Sequence, residues 1–210
     1  MPPTLKVPDT LIVATHNAGK LAEIDAMLAP LGVAVVGAGA RGLPAPEETE
    51  TTFAGNAALK ARAAAAASGE PALADDSGLA IEALGGAPGV YSANWAQTQD
   101  GTRDYAAAFA RIETALADAG ADAGADPSPR AAFVCVVCYA KPDGEIATFE
   151  GRVEGALVFP PRGNAGFGYD PIFTPDGETR TFGEMAPVEK AALSHRGRAL
   201  AAFKQALGAS

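Results

Sequence analysis

Cysteine is nearly missing from this sequence, with two in 210 residues. Two cysteines do not make a disulfide framework. They form a C-x-x-C, Cys135 and Cys138, but inside the apolar run A-F-V-C-V-V-C-Y-A. In an extended strand an odd spacing puts the two thiols on opposite faces. A shared metal or a mutual disulfide is thereby excluded, and core packing remains. Positive charge is also short: 16 Lys and Arg stand against 25 Asp and Glu, a net charge of −9. That balance excludes a broad nucleic-acid surface. A polyphosphate stays within reach wherever lysines or arginines, backbone amides and a metal meet locally. No run of about 18 apolar residues is present, so no membrane span is expected. The opening M-P-P-T-L-K-V-P-D-T lacks the apolar stretch of a secretory signal, and a cytoplasmic setting is the expectation. No repeat of solenoid period is evident.

Apolar content is ample. At 48% hydrophobic residues the chain can bury a real core, as one domain or two closely joined lobes. Its organising stretch is A-D-D-S-G-L-A-I-E-A-L-G-G-A-P-G-V-Y-S-A-N-W, Ala74 to Trp95. The lead-in Pro71 to Ala74 predicts a short buried strand. Alternation then sends Asp75 and Asp76 to opposite sides, one into a cleft and one bracing the backbone. A carboxylate at a strand end suits Mg²⁺, which takes oxygen ligands and keeps waters and phosphates. A solvated D-D-S-G turn is the competing reading.

Taken in order, residues 1–10 read as a tail, and Leu11 to Ala14 as a buried strand running into T-H-N-A-G-K. Leu21, Ile24, Leu28 and Leu31 then mark one apolar helix face, closed by Pro30 and Gly32. Strand, glycine-containing loop and helix present backbone N–H groups to an anion. Lys20 in the first turn opposes the helix dipole, which favours a ligand contact over an exposed lysine. The loop is not a Walker A, since Ala14 replaces its first glycine and Leu21 follows the lysine. Val33 to Val36 reads as a second strand, and Glu47 and Glu48 precede a helix from about Thr52 to Ser68. Phe53, Asn56 and Lys60 share a face of that helix. Asn56 is a poor interior choice, either held there by a contact or simply solvated.

Further on, a helix is expected from Asp100 to about Ala119, a flexible loop over 120–129, and two long strands, Ala131 to Ala140 and Glu145 to Phe159, around Lys141-Pro142-Asp143-Gly144. The segment P-R-G-N-A-G-F-G-Y-D-P-I-F sets glycines around Phe167 and Tyr169. Phe167 can stack on a flat base, or both rings can fill core. Asp170 before Pro171 is kept out of the helical region. A last helix follows Ser194, with His195 and Arg196 in its first turn.

Four segments line up: T-H-N-A-G-K, E-E-T-x-x-T-F-x-x-N-A-x-x-K-A, A-D-D-S-G-L with G-G-A-P-G-V-Y-S-A, and G-F-G-Y-D-P-I-F followed by E-K-A-A-L-S-H-R. In this order, from about Leu11 to Leu207, the chain resembles the inosine/xanthosine triphosphate pyrophosphatase family. The resemblance implies an α/β fold with an elongated mixed β-sheet flanked by helices, two lobes and a nucleotide-binding cleft between them. It implies Mg²⁺-dependent hydrolysis of ITP, dITP and XTP to monophosphate and pyrophosphate, by a homodimer. Thr15, His16, Asn17, Ala18, Gly19 and Lys20 match the phosphate loop, and Asn56 and Lys60 join the substrate contacts. Asp76 matches the general base and metal ligand, Ser77 an adjoining contact, and Glu47 a second metal ligand. Phe167, Gly168, Tyr169 and Asp170 match the base-stacking segment, and Lys190, His195 and Arg196 the remaining nucleotide contacts. A donor such as Arg196 or a backbone N–H would read the base C6 carbonyl. His16 and Gly55 depart from the family pattern, Gly55 standing where a glutamate is common. Competing expectations are a Maf-like pyrophosphatase acting on pyrimidine or modified nucleotides and a nucleotide-binding sensor without turnover.

Overall fold

A computed structural model describes residues 5–15, 17–124 and 127–208. Among these residues six strands form one mixed sheet, and six α-helices accompany it. The strands are β1 (Thr10–Val13), β2 (Ala34–Gly37), β3 (Ala72–Ile81), β4 (Arg130–Ala140), β5 (Ile146–Leu157) and β6 (Phe173–Pro175). The helices are α1 (Ala18–Leu28), α2 (Phe53–Ser68), α3 (Ser92–Trp95), α4 (Tyr105–Asp118), α5 (Pro187–Leu193) and α6 (His195–Ala206). Sheet order is β2-β1-β3-β4-β5-β6. β1 runs parallel to both β2 and β3, while β5 and β6 are antiparallel.

The chain divides into two compact units. The first comprises Met1–Asp76, Cys135–Gly151 and Arg196–Ser210; the second comprises Ser77–Val134 and Arg152–His195. In the first unit, strand alternation sorts side chains between two cores. Leu11 and Val13, Leu73, and Cys135, Val137 and Tyr139 join α1 and α6 through Ile24, Leu28, Leu200 and Phe203. Ile12, Ala72 and Ala74, and Val136, Cys138 and Ala140 meet the alanine face of α2, formed by Ala57, Ala61, Ala64 and Ala65. These strands are apolar on both sides because helices cover both sides. Leu5 is buried in the first of these cores and its N–H donates to the Ala206 carbonyl, so the expected tail of residues 1–10 is anchored at Leu5 and enters β1 at Thr10. The second unit packs Ile112 and Leu116 of α4 with Leu79, Ile81, Phe133, Phe173 and Phe182. Ala121 and Ala123, within the loop expected to be flexible, pack against this core.

Two expected boundaries move. β3 is ten residues long and carries D-D-S-G in its middle. Asp, Ser and Gly are weak strand formers, but here each carboxylate finds a partner, and tertiary contacts override local preference. α4 starts at Tyr105, not Asp100. Asp104 caps it by accepting from the Ala107 N–H at 3.0 Å, while Asp100 closes a turn with Thr98 and Thr102.

The cysteines fall in different cores, as their spacing requires. Burial, with Asp75 nearby, pushes the Cys135 thiol up to about 12, and burial pushes Cys138 up to about 11. A thiol reagent at about pH 8 is therefore expected to leave both unlabelled in the native protein and to label both in denaturant. Rapid labelling of either native thiol, followed by absorbance, would contradict this burial. Unfolded thiols ionise near 8.5. Their contribution to stability is thus complete below that pH and is lost as pH rises towards the folded values of about 11 and about 12.

Candidate active site

The first unit gathers its charges on β3. Asp75 and Asp76 are both buried, and alternation sends them to opposite sides of the strand. On Asp76's side stands α2. Thr52 caps this helix, its side chain accepting from the Gly55 N–H. One turn in, Asn56 Nδ2 donates to Asp76 Oδ2 at 3.2 Å, and Asn56 Oδ1 accepts the Glu50 N–H at 3.0 Å. The asparagine is thus held in the helix by contacts at both ends of its amide. One turn further, Lys60 Nζ lies 3.6 Å from Asp76 Oδ1 and 2.5 Å from Glu48 Oε1.

Burial raises the Asp76 pKa and neighbouring Glu48 adds to this, while Lys60 and Asn56 pull the other way; the net shift is upward. Burial disfavours the Lys60 ammonium, but Asp76 and Glu48 outweigh it and hold its pKa above the ordinary value. Glu48 therefore reaches Asp76's side of the strand through Lys60; Glu47, the expected second metal ligand, precedes it in the loop before α2. Both glutamates are exposed there. Adjacent glutamates in an irregular loop carry no periodic signal to tell them apart.

On Asp75's side, Lys20 Nζ donates to Asp75 Oδ2 at 2.8 Å and Arg196 Nε to the same oxygen at 3.4 Å. Arg196 also reaches Glu23 through an N–H at 2.8 Å. Burial opposes the Asp75 charge, yet Lys20 and Arg196 outweigh it and hold the carboxyl well below its usual range. The same pairing, against burial, raises the Arg196 guanidinium. Arg196 is 4% exposed. The sequence reading aimed it at a base carbonyl; the structure engages it with carboxylates, because a buried Asp75 demands a compensating cation. Glu23, three residues after Lys20 on the same helical face, was missed, although that spacing was its signal.

The expected phosphate loop caps itself. Asn17 Oδ1 accepts the Gly19 and Lys20 N–H groups at 2.9 and 3.2 Å, and the Asn17 N–H reaches Thr15 Oγ1 at 3.1 Å. Ala18 and Gly19 are exposed, and His16 lies outside the described residues.

The second unit holds the aromatic segment. Phe167 is 40% exposed. Its N–H donates to Asp170 Oδ2 at 2.7 Å, and Lys190 Nζ donates to the same oxygen at 2.6 Å while lying 4.6 Å from the Phe167 ring centroid. Gly166 has φ +73°, and a Cβ there would run into the Asp170 carboxylate, so glycine is required. Tyr169 is core, its hydroxyl donating to the Ser92 carbonyl at 2.7 Å and its ring edge-on to Tyr105. Of the two aromatics, one is open and one is filler. Gly168 is half-buried between them, with φ +70°. His195 is buried and stacks on Phe133 at 4.7 Å and 7°. Ser77 is half-buried on β3.

Together these features define a mixed α/β protein with a buried acid–lysine–asparagine centre on its central strand and a glycine-framed aromatic loop. The family model that matches it covers residues 11–206. The chain belongs to the Ham1 family. It is 55% identical to a protein of Brucella melitensis named dITP/XTP pyrophosphatase, over 93% of this chain and 91% of that one. It is also 55% identical to an Agrobacterium fabrum protein of the same name, over 92% and 94%. Among solved structures, a HAM1 protein from Coxiella burnetii aligns with a TM-score of 0.85 and 38% identity, covering 95% of this chain and 98% of that one. A Mycobacterium abscessus protein described as nucleoside-triphosphatase / dITP/XTP pyrophosphatase aligns at 0.71 with 42% identity, over 92% and 98%.

Proposed function

We propose that this protein hydrolyses deaminated purine nucleoside triphosphates, ITP, dITP and XTP, to the monophosphate and pyrophosphate, keeping them out of DNA and RNA. The near full-length likeness to proteins named dITP/XTP pyrophosphatase carries this reading, and the Asp76 centre supplies its chemistry. Water attacks the α-phosphorus. The bond from that phosphorus to the α–β bridging oxygen breaks, and pyrophosphate leaves. Asp76, with Lys60 and Glu48 beside it, accepts the water's proton. Lys60 and Lys20 offset phosphate charge, and Asn56 fixes the orientation of the Asp76 carboxylate.

The residues present fit Mg²⁺. Asp76 and Glu48 meet at Lys60 and offer hard oxygen donors, with Glu47 beside Glu48 on the same loop. No group of three or more His, Cys, Asp or Glu able to hold a metal occurs among the described residues. An ion held by two carboxylates and completed by phosphate and water is the manner of Mg²⁺. When bound, it would neutralise charge building on the phosphates.

The open ring of Phe167 stacks the base, with Lys190 against that ring. Hypoxanthine and xanthine present a carbonyl at C6 and adenine an amine, so a donor supplied by the loop backbone or His195 favours the former. A cytoplasmic homodimer is part of this reading and rests on the family resemblance. Among the described residues no helix is long and apolar enough to cross a membrane.

The test is turnover of dITP, ITP and XTP beside ATP and GTP, with Mg²⁺ and ¹⁸O-water. Pyrophosphate should appear, the label should enter the monophosphate, and kcat/KM should favour dITP over ATP by roughly 100-fold or more. Orthophosphate as product, or indifference to the base, would overturn the proposal.

A further inference from the structure

Asp75 is the one charged residue of the central strand that the reaction above leaves unused. It is 3% exposed and faces away from Asp76, towards the side of Leu73 and Cys135. Lys20 and Arg196 both direct a donor at a single oxygen, Oδ2. Each cation sits in the first turn of a helix, α1 and α6, where the helix dipole disfavours positive charge. Each side chain is long and loses much rotamer freedom when fixed. A buried carboxylate at the meeting point offsets both costs and allows one arrangement. The lysine keeps 19% of its side chain open to solvent, while the aspartate side chain keeps 2%. The carboxylate is therefore an internal anchor, and the ammonium it holds still reaches the surface.

We infer that Asp75 is a positioning residue for Lys20, holding its ammonium as a preformed phosphate-binding charge and using Arg196 to keep its own carboxylate in place. The inference rests on the functional reading above. An ordinary structural ion pair would change stability alone. A positioning residue changes phosphate binding, and does so only while Lys20 is present.

The experiment is a double-mutant cycle of Asp75→Asn and Lys20→Met, with two readouts. One is dITP hydrolysis. The other is the thermal shift produced by inorganic pyrophosphate with Mg²⁺, which needs no turnover. Asp75→Asn should lower kcat/KM by roughly ten- to hundredfold, mostly through KM. On the Lys20→Met background the same change should cost under about threefold. The pyrophosphate shift should be present in the wild type and absent from both single variants. Independent, additive losses would overturn the inference, as would wild-type kcat/KM in Asp75→Asn. Should Asp75→Asn fail to fold, Asp75→Glu takes its place, keeping the charge but displacing it, with KM raised and melting temperature little changed. Failure of both variants to fold would make Asp75 purely structural and refute the proposal. A wild type that shifts with pyrophosphate but releases none from dITP would sink the functional reading and leave the binding arm to decide the inference. Neither shift nor turnover would refute both.

Discussion

Replacing Asp76 by asparagine is expected to cut kcat for dITP roughly 10²–10⁴-fold, while the melting temperature stays near the wild-type value. The two outcomes have one cause. Asp76 is buried beside Glu48, an arrangement that raises its pKa and so disfavours its charge. Asparagine keeps the shape and a carbonyl oxygen to accept from Asn56 Nδ2, now 3.2 Å from the carboxylate. Lys60 keeps Glu48 as its partner. What is lost is the proton acceptor, the negative oxygen donor and the 3.6 Å ion pair with Lys60. Sites built for chemistry commonly hold such unfavourable charge, and removing it seldom weakens the fold. Steady-state kinetics together with a thermal melt decide the matter. Turnover within tenfold of wild type would move the general base elsewhere in the centre.

Asp170→Ala is expected to destabilise the protein by about 3–5 kcal/mol, because it strands the buried Lys190 ammonium without its carboxylate. The side chains of Asp170 and Lys190 are 2% and 10% exposed and meet at 2.6 Å. For a chain of this length that loss corresponds to a fall in melting temperature of roughly 6–20 °C. KM for dITP should rise as well, since the same Asp170 oxygen accepts the Phe167 N–H and fixes the loop. The double variant Asp170→Ala, Lys190→Met removes both charges and should recover a good part of the stability but not the KM. If the double variant melts no higher than the single, the stranded charge is not the cause.

The sequence was most legible where a pattern repeats. Leu21, Ile24 and Leu28 placed α1, and the unbroken apolar run Ala131 to Ala140 placed β4 with its two thiols on opposite faces. The buried Asn56 was foreseeable from its poor fit to a helix interior, though its partner was not. What escaped depends on contacts far apart in the chain. D-D-S-G is a turn by composition and becomes the middle of β3 only because Lys20, Arg196, Asn56 and Lys60 reach it from α1, α6 and α2. Arg196 looked like a ligand contact because a cation at a helix start is unfavourable. The carboxylate that holds it there, Asp75, lies 121 positions away in the chain. Asn17, read as part of an anion loop, spends its side chain on capping α1.

The alanine face of α2 acts as a ruler. Ala57, Ala61, Ala64 and Ala65 are buried against the small residues of β3 and β4, and Asn56 and Lys60 ride on the same helix. Methyl groups that size leave nothing to trim, so this contact is almost immune to shrinkage and vulnerable only to crowding. A single bulkier side chain at Ala61 would jack the helix outward and carry the amide and the ammonium away from their carboxylate, silencing chemistry from a position that touches none of it.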